Sequence, residues 1–226
     1  MAQELSPLRR GVRSASQQLV RKHHVESWFN STPWQRAYAR DILSTASQLG
    51  NRALPVHDIG CGIAQMLVVL GKKGFTALSG CDREEGYVAA GQELCARFHV
   101  HAGIQVMDGA AYVRTIPAES AGLILALNWL YHLDAVATHE FLTTARRRLR
   151  PDNGWLVMDI IRSDYDPPIS EKKDYESSYA HKWLPAAFEE CVASAGLQVG
   201  LRRAGYEWGR VVYWLRNAKM TAKGEA

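Results

Sequence analysis

The 226-residue chain has no apolar run approaching the roughly 18 residues of a membrane span, and its first residues lack the apolar centre of a signal peptide. It therefore reads as a cytoplasmic protein with no membrane partner. Cysteine is sparse. The four present, Cys61, Cys81, Cys95 and Cys191, show no C-x-x-C spacing, which excludes a zinc ribbon or a dithiol redox motif and predicts small buried residues in a reducing compartment. The eight histidines form no H-x-x-x-H pair and no Cys/His spacing, so no catalytic metal is expected. Charge of one sign is also in short supply, the formal balance being only +4. Its one basic cluster, Arg146, Arg147, Arg148 and Arg150, ends a predicted helix, where cations favour the negative end of the dipole. No aromatic stripe accompanies it, so no nucleic-acid partner is expected. Internal repeats and low-complexity segments are absent.

What is present begins with Val56-His57-Asp58-Ile59-Gly60-Cys61-Gly62-Ile63-Ala64: a short apolar run, an acid, then glycines at alternate positions. Glycine tolerates positive φ and has no Cβ, so the backbone can fold closely under a ligand while the N–H groups of the next helix stay free. A dinucleotide fingerprint would carry a third glycine where Gln65 stands, and Asp58 would repel a pyrophosphate. A cationic ligand fits better. Two further runs, Thr76 to Asp82 and Ile104 to Asp108, repeat the strand-then-acid pattern. Asp82 is placed to bind the two hydroxyls of a ribose. Three such strands in a row would put three carboxylates along the sheet edge where open α/β sheets bind ligands.

The remaining pattern is that of a doubly wound α/β sheet. Strands are predicted near Val56 to Asp58, Thr76 to Cys81, Ile104 to Met107, Gly122 to Ala126, Trp155 to Ile161, Leu197 to Arg203 and Val211 to Leu215. The last two are close enough to form a hairpin around Gly205 to Gly209. Helical spacing of apolar residues marks Ala135 to Leu149, through Phe141, Leu142, Ala145 and Leu149, and Leu184 to Ala195, through Phe188, Cys191, Val192 and Ala195. Length and a 47% hydrophobic content suit one such domain.

On these residues the chain resembles the class I S-adenosylmethionine (SAM) dependent methyltransferases, from about Leu54 to Leu215. The resemblance implies a Rossmann-like sheet of seven strands, the last antiparallel, and SAM as the cofactor. It implies that Asp58, Gly60 and Gly62, with Cys61, surround the methionine part. Asp82, with Arg83, would hold the ribose, and Asp108, with Gly109 and Ala110, would meet the adenine. Asn128 and Trp129, just past the fourth strand, would lie beside the methionine and the transferable group. Ala64, where many members have a third glycine, is a departure. Taken alone, each acid would more often be a helix cap or turn residue; their order is what carries the likeness.

Two segments lie outside this core, giving a helical cap at 1–50 and a core at 51–217 that includes a lid at 162–183; residues 218–226 read as a disordered tail. In the cap, Thr32 followed by Pro33 and Gln35 forms a capping box with proline at the first helical position. The helix it starts places Trp34, Tyr38, Ile42 and Ala46 on one face. Trp28, Trp34 and Tyr38 either pack this cap or cover the sulfonium, whose charge an aromatic face attracts. Trp28 to Arg36 is also similar to a nine-residue run of the magnesium-protoporphyrin O-methyltransferases. Trp28 replaces the phenol that opens that run, so the likeness implies a two-helix flap over SAM and does not assign a porphyrin substrate. The lid carries Tyr165, Tyr175, Tyr179, His181 and Trp183, too polar for core and too aromatic for an idle loop.

Displacement at an activated sulfonium asks mainly for an acceptor held in line and for water to be kept out. The candidate catalytic residues are Asn128, His132 as general base or else a helix cap, and Tyr175. The expected reaction is methyl transfer from SAM to an O or N of a small-molecule acceptor. Alternatives are a SAM cyclase or lyase that uses SAM alone and releases methylthioadenosine, as in azetidine-2-carboxylate synthases, a macromolecular methyltransferase, and a non-catalytic SAM-binding module.

Overall fold

The computed structural model describes residues 7–25, 41–46, 48, 50–169, 172, 176, 180–206 and 209–218. Seven strands, β1 (Val56–Ile59), β2 (Leu78–Asp82), β3 (Ala102–Val106), β4 (Leu123–Ala126), β5 (Trp155–Ile161), β6 (Leu197–Tyr206) and β7 (Arg210–Asn217), form one sheet in the order β3-β2-β1-β4-β5-β7-β6. The first five are parallel, while β7 runs antiparallel to both β5 and β6. The chain turns back at β1, between β2 and β4, so the sheet has its switch point beside the Asp58 turn. All seven predicted strands are present, with ends moved by a few residues.

Among the described residues the helices include α1 (Pro7–Lys22), α2 (41–46), α3 (Gln65–Lys72), α4 (Glu85–Arg97), α5 (Gly109–Thr115), α6 (Ala135–Arg148) and α7 (Pro185–Ser194), with a 3₁₀ turn at Leu130–His132. They cover both faces, and strand alternation divides the core accordingly. Leu123 and Leu125 of β4 join Leu19, Leu67, Val68 and Leu94 from α1, α3 and α4. Ile124 and Ala126 join Val113, Phe141, Leu142 and Phe188 from α5, α6 and α7. Strands β4 and β5 are nearly continuous apolar runs because neither face meets water. Helix α6 opens on Asp134, whose carboxylate accepts from the Ala137 N–H at 2.8 Å. The predicted buried face of α7 holds for Phe188, Val192 and Ala195. Cys191 is a correction: Cys61, Cys81 and Cys95 are buried, but Cys191 lies at the rim of its helix face, partly open to solvent.

Helix α1 is tied to the core through Gln65, whose amide donates to Ser16 Oγ at 2.7 Å. It is also tied through Glu93, which meets Lys22 at 2.6 Å, His23 at 3.1 Å and Arg97 at 2.9 Å. Helix α2 buries Ile42, Leu43 and Ala46, and its Asp41 accepts from the Tyr206 hydroxyl at 2.5 Å. Ile42 and Ala46 thus share a buried face as the spacing predicts. Trp28, Trp34 and Tyr38, the capping box at Thr32, Tyr175 and Tyr179 of the lid, and all but the first residue of the predicted tail lie outside the described residues.

The segment after β5 leaves the sheet and the chain returns to it at one place. Trp183 donates its N–H to Ile161 O at 2.8 Å, Ser163 donates to Trp183 O at 3.0 Å, and His181 donates to Tyr131 O at 3.1 Å. Tyr165 packs against Gly209, where a Cβ would come within 2.4 Å of the tyrosine.

Candidate functional site

The turn after β1 has the backbone that its glycines allow: Gly60 and Gly62 have φ of 66° and 51°. Ala64 follows at φ 57°, a left-handed conformation that costs an L-residue about 1–2 kcal/mol; the missing third glycine has therefore not changed the turn. A Cβ on Gly60 would meet Trp129 Cδ1 at 2.7 Å, and one on Gly109 would meet Trp129 Cζ2 at 2.7 Å. The indole thus lies across both glycines and packs against Phe141 with the rings tilted and their centroids 4.9 Å apart. Trp129 is the wedge between the β1 turn and the start of α5.

Asp58 is buried, 4% exposed. Burial, and then the charge of Asp82, push its carboxyl up to about 8. A buried acid beside a second acid is a place where positive charge is wanted. Cys61, next to both, is pushed well above the usual thiol range by burial and then by Asp58 and Asp82, so it is an inert lining residue and no nucleophile. Asp82 is held from both sides: Gly62 N–H donates to Oδ2 at 2.9 Å and Glu84 N–H to Oδ1 at 3.1 Å. One carboxylate therefore ties the β2 end to the glycine turn. Arg83 beside it is exposed and pairs with Glu84 at 3.3 Å. Asp108 is exposed and caps α5, accepting from Ala111 N–H at 3.0 Å. The ordinary capping role thus applies to it, and it stands at the sheet edge with Gly109 and Ala110 in the first turn behind it.

Past β4, Asn128 takes φ 55°. Its N–H donates to Asp159 Oδ1 at 2.6 Å, and its side-chain oxygen accepts from Arg210 Nη2 at 2.8 Å. Asp159 and Arg210 form an ion pair whose side chains are 1% and 0% exposed. This pair was missed in the sequence reading. Its signal was an acid and an arginine inside or beside the apolar runs Leu156 to Ile161 and Val211 to Leu215, since a buried charge of that kind needs a partner. His132 closes the 3₁₀ turn; it does not start a helix, and Asp134 does the capping that was its alternative role. Burial and then the Arg83 charge lower its pKa, so the ring is neutral near pH 7, as a general base requires. It lies 4.3 Å from the Tyr131 ring, between centroids. Tyr131 packs with Tyr165 on Ile161.

Asp58, Asp82, Asp108, Asn128, Trp129 and His132 therefore all lie at or just past the C-terminal ends of parallel strands, with Gly60, Gly62 and Gly109 between them. Among the described residues no group of acids, histidines and cysteines could hold a metal ion, and no helix is long and apolar enough to cross a membrane.

A family model described as a methyltransferase domain matches residues 56–152. Among solved structures, magnesium protoporphyrin IX methyltransferase from Synechocystis PCC 6803, with bound S-adenosylhomocysteine (SAH), is similar at 13% identity. It covers 93% of this chain and 98% of its own, with a TM-score of 0.68. The PH0226 protein from Pyrococcus horikoshii OT3 is similar at 14% identity, TM-score 0.65, covering 88% of this chain and 99% of its own. The CcbJ methyltransferase from Streptomyces caelestis is similar at 15% identity, TM-score 0.64, covering 83% and 97%. No curated protein matches the sequence. The family match begins at the first residue of β1 and spans the glycine turn, both following acids and the Asn128 loop, all within a seven-stranded sheet ending in an antiparallel β7. The fold is that of the class I SAM-dependent methyltransferases, and residues 56–152 within it are similar to a methyltransferase domain.

Proposed function

We propose that the protein binds SAM at the β1–β2–β4 edge and transfers its methyl group to an oxygen or nitrogen of a small-molecule acceptor. The observation that carries this reading is the Asp58–Asp82 arrangement: a buried carboxyl pushed up to about 8, beside a second carboxylate fixed by the Gly62 N–H. Such a pair favours a cationic ligand that also offers hydroxyls. When bound, the sulfonium supplies an already activated methyl group. The chain's own residues then need only orient the acceptor, exclude water and take up a proton.

In this reading Asp82 accepts from the ribose hydroxyls, and Asp108 lies toward the adenine. Trp129 walls the methionine side with Gly60. His132, held neutral, receives the proton of a hydroxyl or ammonium acceptor at a ring nitrogen. The lid, anchored through Trp183 and His181, covers the acceptor, and Tyr175 would act from it.

Purified protein incubated with SAM, alone and with pools of small hydroxylated, carboxylated and amine compounds, tests the proposal. The expected product is SAH, formed only when an acceptor is present. Accumulation of methylthioadenosine from SAM alone would replace methyl transfer with cyclase or lyase chemistry. Retention of SAM with no product from any pool would make the protein a binding module.

A further inference from the structure

The Asn128 side chain has one end already committed. Its oxygen accepts from Arg210 Nη2, and a guanidinium has only donors. The amide atom facing Arg210 is therefore the carbonyl oxygen, a point that chemistry settles without sight of the hydrogens. Turning the amide over would set N–H against N–H beside a cation that is fully buried and paired with Asp159. The backbone is pinned as well, since the Asn128 N–H donates to the same Asp159. What the side chain has left is Nδ2, which has no partner among the described residues. Asn128 is half-buried at the carboxyl end of β4, on the sheet edge where ligands of this architecture sit.

We infer that Arg210 and Asp159 are positioning residues that present Asn128 to the ligand as a hydrogen-bond donor only, so the ligand group meeting it carries an oxygen lone pair, as in a carboxylate or carbonyl, and no N–H. This deepens the proposed function and rests on its placement of the ligand. An amine hydrogen brought to the same spot would set donor against donor, a mismatch that lowers affinity by about tenfold or more. The oxygen can come from two sources: the amino-acid carboxylate of the nucleoside or the acceptor molecule.

The test is ¹⁵N NMR of the Asn128 side-chain amide in the full chain, its signal assigned by its loss in Asn128→Asp, which keeps the shape and still pairs with Arg210. The probes are methylthioadenosine, which lacks a carboxylate, SAH, and SAH with added benzoate, acetophenone or benzylamine. A downfield shift with SAH but not with methylthioadenosine supports the inference with the nucleoside as source. A further shift on adding benzoate or acetophenone supports it with the acceptor as source. A shift with benzylamine alone, or no shift with any probe, overturns it. The doubly substituted Asp159→Leu/Arg210→Met protein frees the amide to rotate, and its signal should then respond to benzylamine as well; a merely structural pair would leave the preference unchanged. A protein that makes methylthioadenosine yet shows the shift would lose the methyl-transfer reading and keep this one, and SAH production without the shift would do the reverse.

Discussion

At the scale of single residues, two acids with the same sequence signature have different physical states. Asp82 accepts from Gly62 and Glu84 and is half-buried, so it is a preorganised hydrogen-bond acceptor. Asp82→Ala should weaken SAM binding by about 1–3 kcal/mol, read by calorimetry; unchanged affinity would place the ribose elsewhere. Asp58 is buried beside the Asp82 charge, and the two together push its carboxyl up to about 8. A cation arriving beside it favours the carboxylate, so SAM binding near pH 7 should release up to one proton. Calorimetry in buffers of different ionisation enthalpy measures this, and an enthalpy independent of buffer would show that no cation reaches Asp58. These two roles are not separable before the chain folds, because an Asp at a strand end reads the same whether its carboxylate meets backbone N–H groups or packed side chains.

Among elements, the β5–β7 pair carries the most consequential contact. Their antiparallel register sets Ile161 opposite Arg210 and Ile160 opposite Val211, and this brings the guanidinium to Asp159 and on to the loop after β4. Arg210→Met would remove the guanidinium that offsets the buried Asp159 charge, and should cost about 3–5 kcal/mol by chemical denaturation. Replacing both partners by apolar residues of similar size should restore most of that stability while leaving Asn128 unlocked. The strands themselves were legible, since apolar runs bounded by acids and glycines mark them, and the α6 and α7 faces were legible from their 3.6-residue period. Ends shifted by a few residues because hydrogen-bond pairing with neighbours, which no local pattern encodes, decides where a strand stops. The Asp159–Arg210 pair was not legible: its members are far apart in sequence and meet only through the β5–β7 register.

For the whole molecule, pH should act through two buried groups of opposite effect. Burial lowers His57 to about 4 from its ordinary value of 6.5, so its contribution is fully present above pH 6.5 and is lost as pH falls toward 4. Asp58 is raised from 3.8 to about 8, so its contribution is present at low pH and is lost as pH rises toward 8. Between pH 4 and 6.5 the two slopes oppose each other and stability should be nearly flat. From 6.5 to 8 Asp58 acts alone, and the ligand-free protein should lose about 2 kcal/mol. Glu93, held down to about 2 from 4.5 mainly by Lys22, acts below about pH 4.5, at the acid edge of this window. Denaturation curves from pH 4 to 9 measure the profile, and saturating SAM should remove the decline above 6.5; a ligand-free protein growing more stable from 6.5 to 8 would contradict it.

By itself the sequence determined the strand-and-helix alternation, the glycine turn and the three acids in order, because these depend on local periodicity and on which residues tolerate positive φ. Tertiary structure alone decided that Trp129 bridges the glycine turn after β1 and the first residue of α5, that Asp58 is buried while Asp108 is exposed, and that Arg210 fixes the hydrogen-bonding sense of Asn128. Each of these depends on burial and on strand register, quantities that exist only once distant segments pack together.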